Sequence, residues 1–315
     1  MRRFSGISLF FAAIVPFVAA ANGAAVPCDQ KLLSLVPPGA ELVTGIIPFE
    51  TNVPRGWIFL SSGYTKLDYD DYFSLVGVDS SRQLSYMILT DFPGKEGQHS
   101  LLASGHFDQA RIYKSATDGG AKTTEYRGIS VVLIEPFLRE REAFHETRWL
   151  AIADSRFVFF GSSEAVQQEL DRYLDHSTPD PFLAQRIAHL RHSDSTWALL
   201  YAPGRSSIVR DSLTEVGLDP TLAAMPDAGG FQLGVHYGNV IEIEYEITAA
   251  DELAYSQPAS LTPAAALSMN PPASRQAISA GERRFHGVLK IPASRYGTWF
   301  DELAAQWRAR NSTAH

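Results

Sequence analysis

The chain of 315 residues has one cysteine, Cys28, so no disulfide can form within it. Its core must come from apolar burial alone, which a chain of this length can supply without covalent staples. Basic residues are in deficit: 27 Lys and Arg face 35 Asp and Glu, a formal charge of −8 with His neutral. That deficit argues against nucleic acid and against adhesion to an anionic bilayer, both of which select basic surfaces. Beyond the amino terminus no apolar run is long enough to span a bilayer. The strongest, Arg156-Phe157-Val158-Phe159-Phe160, has the length of a strand.

What the chain does have is a leader. Arg2 and Arg3 precede an apolar run from Ile7 to Ala21, broken only by Ser8 and Pro16, and then the small residues Ala19 to Ala25 with Asn22 and Gly23 among them. A positive start, a short apolar core and a small-residue zone make residues 1–25 a secretory signal peptide. The mature protein is then exported, periplasmic or extracellular, with no integral span after cleavage. Losing Arg2 and Arg3 takes the charge to about −10, that of a soluble, mildly acidic protein. Val26 and Pro27 before Cys28 do not form a lipidation signal, so Cys28 reads as a lone thiol near a flexible terminus, open to intermolecular pairing.

Residues 26–39 read as irregular, ending in Val36-Pro37-Pro38-Gly39. Strands follow at Ala40–Phe49, Gly56–Ser62 and Leu84–Phe92, with a short helix at Asp68–Val76. Then come a strand at Leu101–Phe107, a helix capped by Asp108, and one long strand from Thr123 to Glu135. A hairpin of Trp149–Ala153 and Phe157–Phe160 leads to a helix, Glu164–Leu174, capped by Ser163. After a linker at 176–181 the expected elements are a helix (Phe182–Leu190), a strand (Trp197–Ala202) and a helix from Ser206 or Ser207 to Val216. A hairpin (Gly230–His236 with Val240–Ile247), a helix near Asp251–Leu267, a strand (Phe285–Ile291) and a helix (Ser294–Arg310) complete the chain. Residues 258–272, rich in Ala and Pro, and the polar tail from Asn311 read as loose. The expected fold is α+β: antiparallel sheets with helices on one face, built from a duplicated strand–helix–strand–strand–helix unit, the halves spanning 26–176 and 177–315.

Chemistry-bearing patterns are few. His189 and His192, with Asp194 beyond and His176 upstream, have the i, i+3 spacing of a metal grip but lack the catalytic glutamate of HExxH, and read as an exposed polar helix end. Glu242, Glu244 and Glu246 alternate with Ile241, Ile243, Tyr245 and Ile247, which places three carboxylates on an outer sheet face. Gly161-Ser162-Ser163-Glu164 follows a strand and opens a helix as a nucleophile elbow does, without GxSxG; capping by Ser163 explains it. The run Arg139-Glu140-Arg141-Glu142 with His145 and Glu146 reads as a solvated loop, and Asp68, Asp70 and Asp71 lack the Gly and Glu of a calcium loop. Gly119-Gly120 and Gly229-Gly230 are turn glycines, and Asn311-Ser312-Thr313 fits a glycosylation sequon. The aromatic residues, Trp149, Trp197, Trp307 and Phe157 to Phe160 among them, fill a core or line an apolar cleft.

Ala103-Ser104-Gly105-His106-Phe107-Asp108, Glu125-Tyr126-Arg127-Gly128, Ala151-Ile152-Ala153-Asp154 and Phe160-Gly161-Ser162, together with Val36-Pro37-Pro38-Gly39-Ala40 and Val43-Thr44-Gly45-Ile46, form a set of strand ends, turns and caps. In these the chain resembles the DUF3352-type exported envelope proteins of bacteria. The resemblance implies export and an α+β repeat over most of the mature chain, and it carries over no catalytic residue.

No residue set is therefore assigned as catalytic, cofactor-binding or metal-ligating, and no cofactor is expected. The leading expectation is a non-enzymatic exported protein that binds an envelope protein or a hydrophobic ligand. A secreted hydrolase using His106 with Asp108, or the His189/His192 pair, is the alternative. A third is a structural subunit that dimerises through the last helix, where Trp299 and Trp307 lie close to one face.

Overall fold

The computed structural model describes residues 28–47, 78, 80–92, 98–134, 147–188, 190, 194, 196–201, 228–249, 274–281 and 284–295. In chain order the elements are α1 (Gln30–Leu35), β1 (Leu42–Ile46), α2 (Ser80–Gln83), β2 (Leu84–Asp91), β3 (His99–Gly105), α3 (Gln109–Asp118), β4 (Lys122–Tyr126), β5 (Ile129–Ile134), β6 (Arg148–Ala153), β7 (Phe157–Gly161) and α4 (Ser163–Leu174). They continue with α5 (Pro181–Ile187), β8 (Thr196–Tyr201), β9 (Ala228–His236), β10 (Val240–Ala249), β11 (Ser274–Gly281) and β12 (Arg284–Pro292). All 12 strands of the described residues join one sheet in the order β11-β12-β10-β9-β8-β1-β2-β3-β7-β6-β5-β4. Every pairing in it is antiparallel.

This corrects the expected α+β class. Among the described residues the fold is mostly β, with five short helices of which the longest has 12 residues. The helices also lie on both faces of the sheet. Phe157 and Phe159 of β7 join a core with Leu32, Leu33 and Leu35 of α1, Val166 and Leu170 of α4, and Leu183 and Ile187 of α5. Val158 and Phe160 point the other way, into a core with Ile112 and Ala116 of α3. Side chains alternate across a strand, so β7, buried at all five positions, requires cover on each face. No helix among the described residues is long and apolar enough to cross a membrane.

The expected strand–helix–strand–strand–helix unit becomes strand, helix, four strands, helix in the first half. The stretch 123–135 is not one strand. Arg127 (φ 49°) and Gly128 (φ 86°) both take positive φ, the type I′ hairpin turn that folds β4 back on β5. Residues 30–35, read as irregular, form α1, because the Asp29 carboxylate accepts from the amides of Lys31 (2.9 Å) and Leu32 (3.1 Å). Ser162, not Ser163, caps α4, accepting from Ala165 N at 3.4 Å. Asp108 caps α3 as expected, and residues 274–281, given no element from sequence, form β11. The strands, helices and loose segments expected at 56–62, 68–76, 206–216, 251–267, 258–272 and 311–315, and all but the start of 294–310, lie outside the described residues.

The two halves of the chain share the sheet through β1 and β8, which run antiparallel from Leu42↔Leu200 to Ile46↔Thr196. On each side of this pair a three-strand meander leads outward, β1-β2-β3 and β8-β9-β10. Gly45 is paired with Trp197 at the join. A methyl group on Gly45 would stand 2.2 Å from Cε2 of the fully buried Trp197 indole, so only a residue without Cβ fits beneath that ring. Gly45→Ala is expected to destabilise the protein by about 1–3 kcal/mol through overpacking. The cost should shrink when Trp197→Phe is added, as read by chemical denaturation in a double-mutant cycle.

Candidate functional site

Most of the polar chemistry of the described residues lies on the face that carries α1, α4 and α5, in three groups. The first links the first of the described residues to the sheet. Trp197 Nε1 donates to the Tyr86 hydroxyl at 2.6 Å, Tyr86 hydrogen-bonds Cys28, and the Cys28 thiol faces the Asp29 carbonyl at 3.7 Å. Cys28 is buried, and burial pushes its thiol up to about 12, with the Tyr86 hydrogen bond opposing. Burial likewise holds the Tyr86 hydroxyl well above its ordinary range. The expectation that Cys28 is open to intermolecular pairing is thus corrected. Cys28 stays a thiol inside the core, where thiolate chemistry is suppressed.

The second group sits under α4. Thr90 Oγ1 and Ser100 Oγ are 2.5 Å apart on paired strands, and the Ser100 hydroxyl donates to Oε1 of Glu169. Glu169 is wholly buried, and burial drives its carboxyl well above the ordinary carboxylate range, opposed by the Ser100 hydrogen bond. Burial thus favours the uncharged acid over the carboxylate at this side chain. Sequence reading missed it because Glu169 in isolation reads as a solvent-facing helix residue. The available signal was the stripe Ala165, Val166, Glu169, Leu170, where a carboxyl takes an apolar position.

The third group runs beside α5. Glu242, Glu244 and Glu246 of β10 are half-buried, while Ile241, Ile243 and Tyr245 between them are buried. The alternation is as expected, but the carboxylates do not line an open outer face. Lys290 Nζ lies 2.5 Å from Glu242 and Arg186 Nη1 of α5 lies 3.3 Å from Glu246. Asp194, read as part of an exposed helix end, is buried instead. Its Oδ2 occupies the space a side chain would need at Gly234, 2.1 Å from where a Cβ would be, and Gly234 is paired with Glu244. Where this row meets the end of β8, the rings of Phe182 of α5 and Tyr201 are in contact, centroids 4.5 Å apart and planes tilted at 50°, and both remain exposed, at 45% and 49%.

The residues first considered for catalysis do not assemble. His106 is exposed, and the Asp108 carboxylate is occupied in capping Arg111 N at 3.0 Å. Ser163 opens α4 with its hydroxyl on Glu164, 3.0 Å away, and the neighbouring Ser162 is buried as the cap. His176 is exposed and closes α4 with a φ of 51°. Gly119 and Gly120 end α3 as turn glycines. His189, His192, the 139–146 charge run, Asp68, Asp70, Asp71, Trp299, Trp307 and the 311–313 sequon lie outside the described residues. Among the described residues no group of three or more His, Cys, Asp or Glu is placed to hold a metal ion. No family model, no curated protein and no solved structure matches the chain.

On the opposite face, His99 of β3 and Arg148 of β6 approach each other. Burial, then the charge of Arg148, lowers His99 from 6.5 to about 4. His99 is therefore neutral in the fold, and must be charged at a cost when pH falls below its ordinary value. That contribution to stability is complete above pH 6.5 and is lost as pH falls towards about 4. His99→Gln should remove on the order of 3 kcal/mol of the acid-induced destabilisation across that window. The check is urea denaturation of both proteins at several pH values; parallel curves would contradict the assignment.

Proposed function

We propose that this protein is exported and works by binding a protein partner of the cell envelope rather than by catalysis. The observation that carries this reading is the Phe182–Tyr201 pair, two aromatic rings in tilted contact left exposed beside the Arg186–Glu246 ion pair and the half-buried glutamate row. Exposed aromatics are common anchors of protein interfaces, because they bury large area at small entropic cost. The glutamates around them, on a chain of formal charge −8, favour a partner segment that combines apolar and basic residues. The leader, Arg2-Arg3 with the run Ile7 to Ala21, supports export. So does the resemblance to DUF3352-type envelope proteins.

A hydrophobic ligand between sheet and helices is the weaker form of the binding reading. The leucines of α1 and the apolar face of α4 meet Phe157, Phe159 and Trp197 in that space, and each is buried. The buried titratable groups also serve the fold: Cys28 and Tyr86 anchor the segment that leads into α1, and Glu169 anchors α4.

Crosslinking in the native envelope, followed by mass spectrometry of what copurifies with the mature chain, tests this. The natural protein should capture a specific partner in stoichiometric amount. The double variant Phe182→Ser/Tyr201→Ser should capture it at least about tenfold less well while keeping its circular dichroism spectrum. Equal capture by the folded double variant would move the interface elsewhere, and turnover of a substrate by the purified chain would overturn the non-catalytic reading.

A further inference from the structure

The Glu169 carboxyl is a second feature of the molecule that the binding reading does not use. It stands on the core side of α4 with Ala165, Val166 and Leu170. Its Oε1 has one partner, the Ser100 hydroxyl, which is itself joined to Thr90. Its Oε2 is buried without a hydrogen-bond partner. A carboxylate anion needs donors at both oxygens or a cation at hand, and an unmet buried charge costs several kcal/mol.

The charged groups of the surrounding elements are engaged elsewhere. On α1, Asp29 caps its own helix and Lys31 lies over the Tyr173 ring, 5.6 Å from its centre. Tyr86 of β2 is taken up with Trp197 and Cys28. His99 of β3 and Arg148 of β6 project from the opposite face of the sheet, with Leu101 and Leu150. β5 and β7 contribute no ionisable residue, and Lys122 and Glu125 of β4 are exposed at the sheet edge. Glu41, just before β1, shares the face of Val43 and is a like charge. On α4 itself Glu164 is exposed. Asp171 and Asp175 hold Arg127 at 2.6 and 2.9 Å, Arg172 donates to the Ser34 carbonyl at 2.9 Å, and Tyr173 bonds Asp154.

We propose that Glu169 is a proton-operated latch, which fastens α4 to the sheet while its carboxyl is neutral and lets α4 go when that carboxyl ionises. The hairpin of β4 and β5 would be released with it. Its turn is tied to α4 by Arg127 on Asp171 and Asp175, and by the Tyr126 hydroxyl on Asp171 at 3.1 Å. A helix with an apolar residue at position 169 would dock without regard to pH, so the carboxyl makes docking conditional. The direction follows from burial, which raises the carboxyl in the closed form. The latch holds fully below the ordinary carboxyl range and weakens as pH rises towards the raised value of the closed form. It therefore opens on the alkaline side, opposite in sense to the effect of His99.

The test is backbone hydrogen exchange of α4 and of β4–β5 in the full mature chain, from about pH 6 to about pH 9, expressed as protection factors. In the natural protein protection should fall by about tenfold per pH unit until the closed form ionises. In Glu169→Gln, which keeps the shape and cannot ionise, it should stay flat. Parallel pH dependence in the two proteins would overturn the latch. Should the Gln variant not fold, the 13C carboxyl resonance of Glu169 in the natural chain decides. A protonated carboxyl at neutral pH that titrates together with loss of α4 protection supports the proposal. A carboxyl already ionised while α4 stays closed defeats it.

Discussion

The antiparallel ladder between β1 and β8 is the contact on which the rest of the structure depends. β1 lies in the amino-terminal half of the chain and β8 in the carboxy-terminal half, yet the two are central neighbours in a sheet of 12 strands. Each starts a meander that leads outward, so neither meander has a closed inner edge without the other. The ladder is set by shape as well as by hydrogen bonds. Trp197 lies over Gly45, and its indole N–H reaches Tyr86 on the next strand beyond β1. Tyr86 in turn holds Cys28, so one aromatic side chain connects β8, β1, β2 and the start of the described chain.

From that join the sheet acquires two different faces. One carries α1, α4 and α5, and includes the Glu169 and Asp194 carboxyls, the Cys28–Tyr86–Trp197 chain and the β10 glutamates. The other is packed by α3 over Leu101, Val132, Leu150 and Val158. Burial disfavours the charged forms of His99 on one face and of Glu169 on the other, so the stability tied to each falls at low and at high pH respectively. The exposed aromatic pair, by contrast, performs no evident packing task at the surface, and it is where the binding reading rests.

Much of the strand pattern was legible because it is local. The hairpin of β6 and β7 shows as two apolar runs around Asp154-Ser155-Arg156, and Asp108 marks the start of α3. The β4–β5 turn was missed because Arg127 takes positive φ beside Gly128, and Arg carries no signal for that conformation. The error in fold class has a different origin. The repeated strand–helix–strand–strand–helix order suggested antiparallel sheets with helices on one face, whereas Phe157-Val158-Phe159-Phe160 already called for cover on both. The join of the halves through β1 and β8 depends on pairing across 150 to 158 residues of sequence, which no local pattern encodes. The site residues were hidden for the same reason. Glu169 looks like any surface glutamate until Ser100 and Thr90 are brought beneath it, and Phe182 and Tyr201 become a pair only when α5 settles on the end of β8.

Native-state hydrogen exchange of the β1 and β8 amides tests the central claim most directly. If this ladder unites the two halves, amides of β1, β2, β8 and β9 should exchange only through one global opening, with a common free energy and a common denaturant dependence. Exchange of β8 and β9 at a distinctly lower free energy than β1 and β2 would show that the halves open independently, and would contradict the account of a single sheet built outward from its centre.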